Sequence, residues 1–244
     1  MTLTVAALVA AGAFAGGFVS GLAGFGTGLI ALGFWLHVID PAPAATLVAV
    51  CSVVSQVQTL PAVWKGIDGR RIAPMVGAGL LGVPLGTWLL ARVDPDLFRP
   101  VVGGLLLAYA AFMLLSRFQP RLAWGGAAAD GAVGFAGGIM GGLSGLSGPL
   151  PTVWATLRGW GKDEARAVFQ VFNAVVLGAV AAWHAVSGLF TPALLLLVLV
   201  SLPGTTIGAY LGARLYRRLS DARFREVVYL LLALSGATLI WASL

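Results

Sequence analysis

Two glycine-rich stretches contain the residues most suited to binding a ligand. Residues 21–28 read GLAGFGTG and residues 142–149 read GLSGLSGP, both in apolar surroundings. Glycine permits backbone turns that other residues resist. A helix that begins after such a turn offers unpaired N–H groups and the positive end of its dipole, which together bind anions. The pattern therefore predicts two anion-binding breaks without charged side chains.

The two breaks also contain signals for the start of a returning helix. We expect those helices to begin at Thr27-Gly28 and at Gly148-Pro149, because proline suits a first helical turn, where its missing N–H is no loss. Eight residues of the breaks are predicted to bind the ligand: Gly24, Gly26, Thr27, Gly28, Gly145, Ser147, Gly148 and Pro149.

The helix after each break adds polar side chains that could hydrogen-bond a ligand oxygen. Ser52, Ser55, Gln56 and Thr59 follow i, i+3, i+4 and i+7 spacing, so they share one helix face. Asn173 stands at the equivalent of Ser52 in the second half, one turn after Gln170. Hydrogen bonding between helices, worth roughly 0.6 to 2 kcal/mol, is the alternative role, and we favour it for Ser55, Thr59 and Thr87. Four residues are predicted to bind the ligand, with that alternative left open: Ser52, Gln56, Gln170 and Asn173.

The composition indicates an integral membrane protein. Hydrophobic residues make up 59% of the chain and charged residues 10%, whereas about a quarter of the residues of soluble proteins are charged. Uncharged runs long enough to cross a bilayer occupy 42–64, 72–91, 100–116 and 227–244. The stretch 167–213 predicts two more helices that turn near 186–192. Because the runs are continuous rather than alternating, we expect helices and not barrel strands.

The charge pattern argues against several classes of function. The formal charge is +6, but the cations lie in short loops between apolar runs, so orientation in the bilayer explains them better than nucleic-acid binding does. No catalytic cluster, metal-ligand spacing or phosphate-binding loop is present in the sequence. The chain is thus predicted not to be an enzyme, to have no cofactor and no metal site, and not to bind nucleic acid.

Several isolated polar residues are given structural roles. Asp40 and Asp130 are interpreted as helix caps, and His37 and His184 as interfacial residues on the outer side. Lys162 and Arg166 lie beside the second-half polar stripe and could concentrate anions there, although we favour an orienting role for them.

The chain is an internal duplication. A shift of 121 residues places Gly16-Gly17 on Gly137-Gly138, and a shift of 126 places Gly82 and Gly86 on Gly208 and Gly212. These rows of small residues are expected to pack helices closely. We assign 1–118 to a first membrane repeat, 119–129 to a linker and 130–244 to a second membrane repeat. Internal repeats are common among secondary transporters.

Loop charges favour an inverted arrangement of the repeats. If each broken segment dips into the membrane and returns on its own side, six crossings remain and 13 cations fall on one side, against Arg92 and Arg99 on the other. The positive-inside rule puts the 13 cations in the cytoplasm. The predicted fold is an all-α integral membrane protein with two inverted repeats, each a glycine-broken re-entrant helix pair plus three transmembrane helices. The expected location is the bacterial cytoplasmic (inner) membrane, with several passes and both termini periplasmic.

The glycine motifs resemble those of the TauE/SafE sulfite exporter family. The likeness includes Gly-x-x-x-Gly-x-x-Gly-x-Gly-x-Gly at 17–28, its echo ending at Pro149, the basic loop 65–71 and the closing Gly-x-x-x-Gly helices. The resemblance extends from about residue 8 to residue 241. It implies export of sulfite or a small organosulfonate, and it implies that the glycine motifs border the substrate. Thr27 and Ser147 depart from the family's glycine triplets, so either their hydroxyls contact the anion or the substrate differs from sulfite.

The predicted function is a secondary transporter that exports sulfite or a small organosulfonate, with this sulfur-containing anion and the lipid bilayer as partners. Two alternatives stay open: an importer or channel for sulfate, thiosulfate or carboxylate anions, and a non-transporting membrane assembly factor. No clear membrane segment has a carboxylate at its centre, so coupling to protons or sodium is unsupported. The sequence leaves open whether the chain forms a homodimer.

Overall fold

A computed structural model describes residues 2–64, 67–94 and 124–218, together with positions 97–98, 101–102, 104–105, 107–108, 111, 122, 220 and 230. The three continuous ranges are built from α-helices joined by short turns. The helices are α1 (Leu3–Ala23), α2 (Thr27–Trp35), α3 (Pro41–Thr59), α4 (Gly69–Leu90), α5 (Gly126–Ser144), α6 (Pro149–Arg158), α7 (Lys162–Val186) and α8 (Pro192–Tyr216). A 3-10 turn, Leu60–Ala62, follows α3.

Five of the described helices are long and apolar enough to cross a membrane. They are α1, α3, α4, α7 and α8. The predicted runs 42–64 and 72–91 coincide with α3 and α4, and the predicted pair of helices within 167–213 coincides with α7 and α8. The predicted runs 100–116 and 227–244 lie largely outside the described residues. The prediction of an all-α membrane protein is confirmed.

The first broken segment is a helical hairpin in which α2 runs back along α1. The Trp35 indole N–H, in the last turn of α2, donates to the Val9 carbonyl in the first half of α1 at 3.1 Å. Thr27, at the start of α2, lies against Gly16, further along α1. Because α2 runs antiparallel to α1, the chain turns back on itself at the break.

The second broken segment has the same shape. Ser147 packs against Gly141 near the end of α5, and the Trp154 indole N–H donates to the Asp130 carboxylate near the start of α5 at 2.6 Å. The prediction that Asp130 caps a helix is wrong, because α5 begins at Gly126, within the predicted linker 119–129, and Asp130 is a buried acceptor inside the helix.

Rows of glycine bring each hairpin against a helix of the other half. In one row, Gly17 and Gly21 of α1 lie against the backbone of Thr205 and Ala209 in α8; in the other, Gly138 of α5 lies against Gly79 of α4. A Cβ atom on Gly138 would be 2.0 Å from the Gly79 carbonyl oxygen, so no larger residue fits. The predicted packing role is confirmed for a further set of glycines: Gly82, Gly86, Gly204, Gly208 and Gly212.

Charged residues from three loops meet at one end of the bundle, which we call the charged end. Arg71 at the start of α4 pairs with Glu164 at the start of α7. The Tyr216 hydroxyl at the end of α8 donates to Asp163 at 2.8 Å. These contacts join three of the cation-bearing loops that the sequence places on one side of the membrane.

The opposite end of the bundle contains a mostly apolar cavity. Its volume is about 500 Å³, and Trp88, Arg92 and Trp183 are among its lining residues. His184 also lines it but is 1% exposed, and its Nδ1 lies 2.8 Å from the Thr46 hydroxyl. His184 lies in the last turn of α7, at a segment end, and α3 covers its ring, so its interfacial position stays a prediction.

The two glycines Gly82 and Gly77 of α4 allow a matched test of close packing. A Cβ atom on Gly82 would lie 2.3 Å from the Phe135 carbonyl oxygen, whereas nothing lies within 4 Å of one on Gly77. We expect Gly82→Ala to destabilise the protein by about 1–3 kcal/mol through overpacking. Gly77→Ala should be neutral or stabilising by up to about 1 kcal/mol, because alanine forms helix better. Thermal unfolding in detergent measures both, and equal melting temperatures would contradict the packing role of Gly82.

Candidate functional site

Left-handed glycines produce both helix breaks. Gly24 has φ +80° and Gly26 has φ +104° at the first break, and Gly145 has φ +74° at the second. Residues with a Cβ atom rarely adopt these angles. The N–H groups of Gly24 and Gly145 close the ends of α1 and α5 on Ser20 and Gly141, at 2.8 and 2.7 Å. The predicted helix starts are confirmed, since α2 begins at Thr27 and α6 begins at Pro149.

The two breaks lie against each other. A Cβ atom on Gly148 would be 2.8 Å from Phe25, and one on Gly28 would be 3.1 Å from the Leu146 side chain. Phe25 and Leu146 are equivalent under the shift of 121 residues, so each break places its large apolar residue on a glycine of the other. The contact is reciprocal, and it brings the starts of α2 and α6 to one place.

A small cavity, which we call the break cavity, lies where the breaks meet. Its lining residues are Gly26, Thr27, Gly28, Leu29, Ser52, Gln56, Gly145, Leu146, Ser147, Gly148, Pro149, Asn173 and Leu177. None of these described residues carries a charge. The free space is about 10 Å³, roughly enough for one water molecule. The described conformation is therefore closed around this cavity.

Ten of the twelve predicted site residues line the break cavity, and Gly24 and Gln170 lie beside it. The Gly24 carbonyl accepts hydrogen bonds from the Gln56 amide at 3.1 Å and the Asn173 amide at 3.5 Å. The Gln170 amide instead donates to the Thr59 hydroxyl, so that group makes the interhelical bond that the sequence left as the alternative. The Thr59 hydroxyl also donates to the Ser55 backbone carbonyl within α3, whereas the Ser55 hydroxyl oxygen is buried without a described partner, so the interhelical role favoured for Ser55 is not observed.

Hydrogen bonds fix the amides of the break cavity. The Ser147 hydroxyl donates to the Asn173 side-chain oxygen at 2.5 Å. Gln56 also donates to the Ser20 hydroxyl at 3.3 Å. Asn173 thus links the second break to the Gly24 carbonyl of the first, and Gln56 attaches α3 to the same carbonyl.

Two buried polar atoms of the break cavity have no partner among the described residues. They are the Thr27 hydroxyl oxygen and the Gln56 side-chain oxygen. Thr27 and Gln56 are both 1% exposed. A buried polar group without a partner costs about 1–3 kcal/mol. The Thr27 hydroxyl is therefore a donor that a ligand oxygen could satisfy.

The two helix starts do not offer equal numbers of backbone donors. The first turn of α2 contributes the N–H groups of Gly26, Thr27 and Gly28, which have no partner within their own helix. The first turn of α6 contains Pro149 and Pro151, which have no N–H. The first break thus offers backbone donors, whereas at the second the Ser147 hydroxyl is bonded to Asn173 in the described conformation.

Arg166 lies near the site in a position that the sequence did not predict. It is 3% exposed, and its guanidinium donates to the carbonyls of Gly21 and Leu22 in the last turn of α1, at 2.7 and 3.0 Å. Arg166 therefore lies inside α7 with a buried side chain and not in an exposed loop, and its role in orienting the chain stays a prediction. The signal in the sequence was its spacing, since Arg166, Gln170 and Asn173 follow i, i+4 and i+7 on α7.

Membrane-spanning helices around an uncharged polar cavity between two broken helices are typical of a multi-pass membrane transporter. The chain matches the family model described as sulfite exporter TauE/SafE over residues 8–239. It therefore belongs to the TauE/SafE sulfite exporter family, a family of membrane transporters, and the predicted resemblance is confirmed. No curated protein and no solved structure matches the chain.

Thr27 and Thr152 allow a test of whether burying the unpaired Thr27 hydroxyl destabilises the folded protein. The Thr27 hydroxyl has no described partner, whereas the Thr152 hydroxyl donates to the Gly148 carbonyl at 2.8 Å. Valine has nearly the same shape as threonine. We expect Thr27→Val to leave the melting temperature unchanged or raise it, and Thr152→Val to destabilise by about 1 kcal/mol through the lost hydrogen bond. A larger loss for Thr27→Val than for Thr152→Val would show that the Thr27 hydroxyl has a structural partner.

Proposed function

We propose that this protein is a secondary transporter that moves sulfite or a small organosulfonate anion out of the cell. The observation that carries the proposal is the break cavity, where the positive ends of α2 and α6 meet without a charged side chain. Helix N-termini bind anions through free N–H groups and the helix dipole. The Thr27 hydroxyl, buried without a described partner, adds a donor suited to an oxyanion.

Substrate binding is proposed to use both breaks and the two helices that follow them. The backbone N–H groups of Gly26 to Gly28, with the Thr27 hydroxyl, face the oxygens of the anion from one side. Ser147 and Asn173 face it from the other, and Gln56 holds the Gly24 carbonyl away. Because the free space is about 10 Å³, the breaks must separate to admit an anion, which motion of one repeat against the other provides.

The repeats are proposed to be inverted, with the charged end in the cytoplasm and both termini in the periplasm. The glycine contacts support this arrangement: Ala10, Phe14 and Phe18 meet Gly204, Gly208 and Gly212 in the same order, so α1 runs parallel to α8. By the same reasoning α5 runs parallel to α4, from the Phe135–Gly82 and Ile139–Gly86 contacts. Side-chain contacts show that α3 runs antiparallel to α7 and parallel to α8, so α7 and α8 run in opposite directions. The starts of α4 and α7 meet at the charged end, so these two helices run parallel. The equivalent helices α1 and α5 are therefore antiparallel.

Outward movement of an anion needs no coupling ion. A cell that is negative inside favours the exit of each negative charge by about 2.3 kcal/mol per 100 mV, which corresponds to about a 50-fold gradient. The break cavity has no carboxylate among its lining residues, so it offers no group of the kind that binds a coupling proton or sodium ion. This supports voltage-driven export over import coupled to protons or sodium ions.

Proteoliposomes with the purified protein test the transport proposal. We expect sulfite and sulfoacetate trapped inside to leave faster when the lumen is made negative, whereas efflux of taurine, a zwitterion, should not respond to voltage. Saturation with substrate and counter-transport would separate a transporter from a channel. Failure of every sulfonate and of sulfite to move would overturn the proposal.

The Thr27 hydroxyl should matter for transport and not for folding. We expect Thr27→Val to reduce sulfoacetate flux by about tenfold, because one hydrogen bond to a charged group is worth at least about 1.4 kcal/mol. Thr205→Val is the control, since Thr205 is equally buried but lies on α8 outside the cavity lining. Equal flux of Thr27→Val and Thr205→Val would remove Thr27 from the site.

Labelling distinguishes a transporter from an assembly factor. Cysteine at position 27 or 147, in a Cys51→Ala background, should be protected from thiol reagents by sulfoacetate in a transporter. Labelling that sulfoacetate does not change would favour the assembly factor.

A further inference from the structure

Arg166 ties the first break to the second half of the chain. Its guanidinium holds two carbonyls of the last turn of α1, those of Gly21 and Leu22, and lies 3.7 Å over the ring of Tyr216 in α8. The Tyr216 hydroxyl in turn donates to Asp163 at 2.8 Å. One buried side chain of α7 therefore fixes α1 and α8 to each other at the charged end.

The Arg166 guanidinium is held by neutral groups, and Asp163 attracts it through Tyr216 rather than in a direct ion pair. No described carboxylate forms an ion pair with it, and the two described ion pairs use Arg71 instead. Its Nε atom is buried without a described partner. Carbonyl oxygens at a helix C-terminus favour a nearby cation, but an oxyanion accepts hydrogen bonds about twice as strong as those of a neutral acceptor. An anion that reaches Arg166 can therefore compete with α1 for the guanidinium.

The equivalent contact at the second break contains no charge. Under the shift of 121 residues, Arg166 corresponds to Ala45 and Gly24 to Gly145. Gly145 is covered by Val48, whose Cγ1 would be 2.4 Å from a Cβ atom on that glycine, and by the Ala45 carbonyl. The two breaks are alike in backbone, but the first is closed by a cation and the second by an aliphatic side chain. The cation lies toward the charged end.

Arg166 is also adjacent to the break cavity. A Cβ atom on Gly24 would lie 2.9 Å from the Arg166 Cγ and 3.2 Å from the Gln170 Cγ, so both side chains cover the glycine that ends α1. Asn173 follows on the same face and lines the cavity. Arg166 and Asn173 are seven residues apart, about 10 Å along the helix. Arg166 therefore lies on α7 between the charged end and the break cavity.

We propose that Arg166 is an anion-operated latch on the charged-end entrance of the break cavity, selective for oxyanions. This inference depends on the proposed function. A sulfonate or sulfite offers the guanidinium two oxygens at once, a geometry that the planar fork of arginine matches and that a halide ion cannot supply. When the fork turns to the anion, it releases the Gly21 and Leu22 carbonyls, and the first break is free to separate from the second. Arg166 is a positioning residue that couples arrival of the substrate to opening.

Charge-matched variants test the selectivity of the latch in proteoliposomes that contain sulfoacetate or chloride. We expect Arg166→Gln to reduce sulfoacetate efflux about tenfold or more, since a charge-assisted hydrogen bond is lost, and to abolish the preference for sulfoacetate over chloride. Arg166→Lys should recover part of the flux but not the preference, because lysine keeps the charge and lacks the fork. Arg71→Gln, which removes an equal charge from the same end, should stay within about twofold of the unmodified protein.

Labelling at position 170 tests the latch motion. In a Gln170→Cys, Cys51→Ala background, a methanethiosulfonate reagent applied from the charged end should react slowly, and sulfoacetate should accelerate the reaction while chloride does not. Adding Arg166→Gln should make labelling fast and insensitive to sulfoacetate.

Two results overturn the latch. They are an unchanged preference for sulfoacetate in Arg166→Gln or Arg166→Lys, and equal acceleration of labelling by sulfoacetate with and without Arg166. Either result with normal sulfoacetate flux in the unmodified protein rejects the latch and leaves the proposed function standing. Absence of any sulfoacetate or sulfite flux in the unmodified protein rejects the proposed function itself.

Discussion

The structure depends on one constraint, that peptide groups freed by a helix break cannot remain unpaired in hydrocarbon. Both breaks meet it in the same way, by ending one helix on a left-handed glycine and starting another within a few residues. The amides at the new helix starts then need partners that the helix itself does not provide. Placing the two breaks against each other confines these groups to one small polar cavity, away from lipid.

Close contact between the breaks requires close contact between whole helices. The breaks can meet because α1 lies directly on α8 and α5 directly on α4, each through glycines that leave backbone against backbone. Each hairpin therefore packs on a helix of the other half of the sequence. As a result, the position of each break depends on glycine contacts with the other half.

The two breaks differ in the chemical groups that surround them. The first break has more backbone donors than the second, because Pro149 and Pro151 remove two amides from the start of α6. Only the first break is covered by a buried cation, Arg166. Its equivalent at the second break is Ala45. The two breaks thus have similar backbones and contribute chemically different groups to the cavity.

The membrane class, the positions of the breaks and the rows of packing glycines could be predicted from the sequence. These features are local: apolar runs, positive-φ glycines and small-residue spacing act within one helix or one turn, so they are legible without coordinates. The family follows from the same motifs, and the family comparison confirms it.

Only the tertiary structure decided which polar residues meet. Spacing placed Gln170 and Asn173 on one helix face. In the structure Gln170 hydrogen-bonds Thr59 on the facing helix, whereas Asn173 lines the cavity. Sequence likewise made Asp130 a cap and Arg166 a loop cation, because charged residues near segment ends are usually exposed. Their burial depends on Trp154 folding back along α5 and on α1 ending beside α7. These are contacts between residues distant in the chain, and no local pattern specifies them.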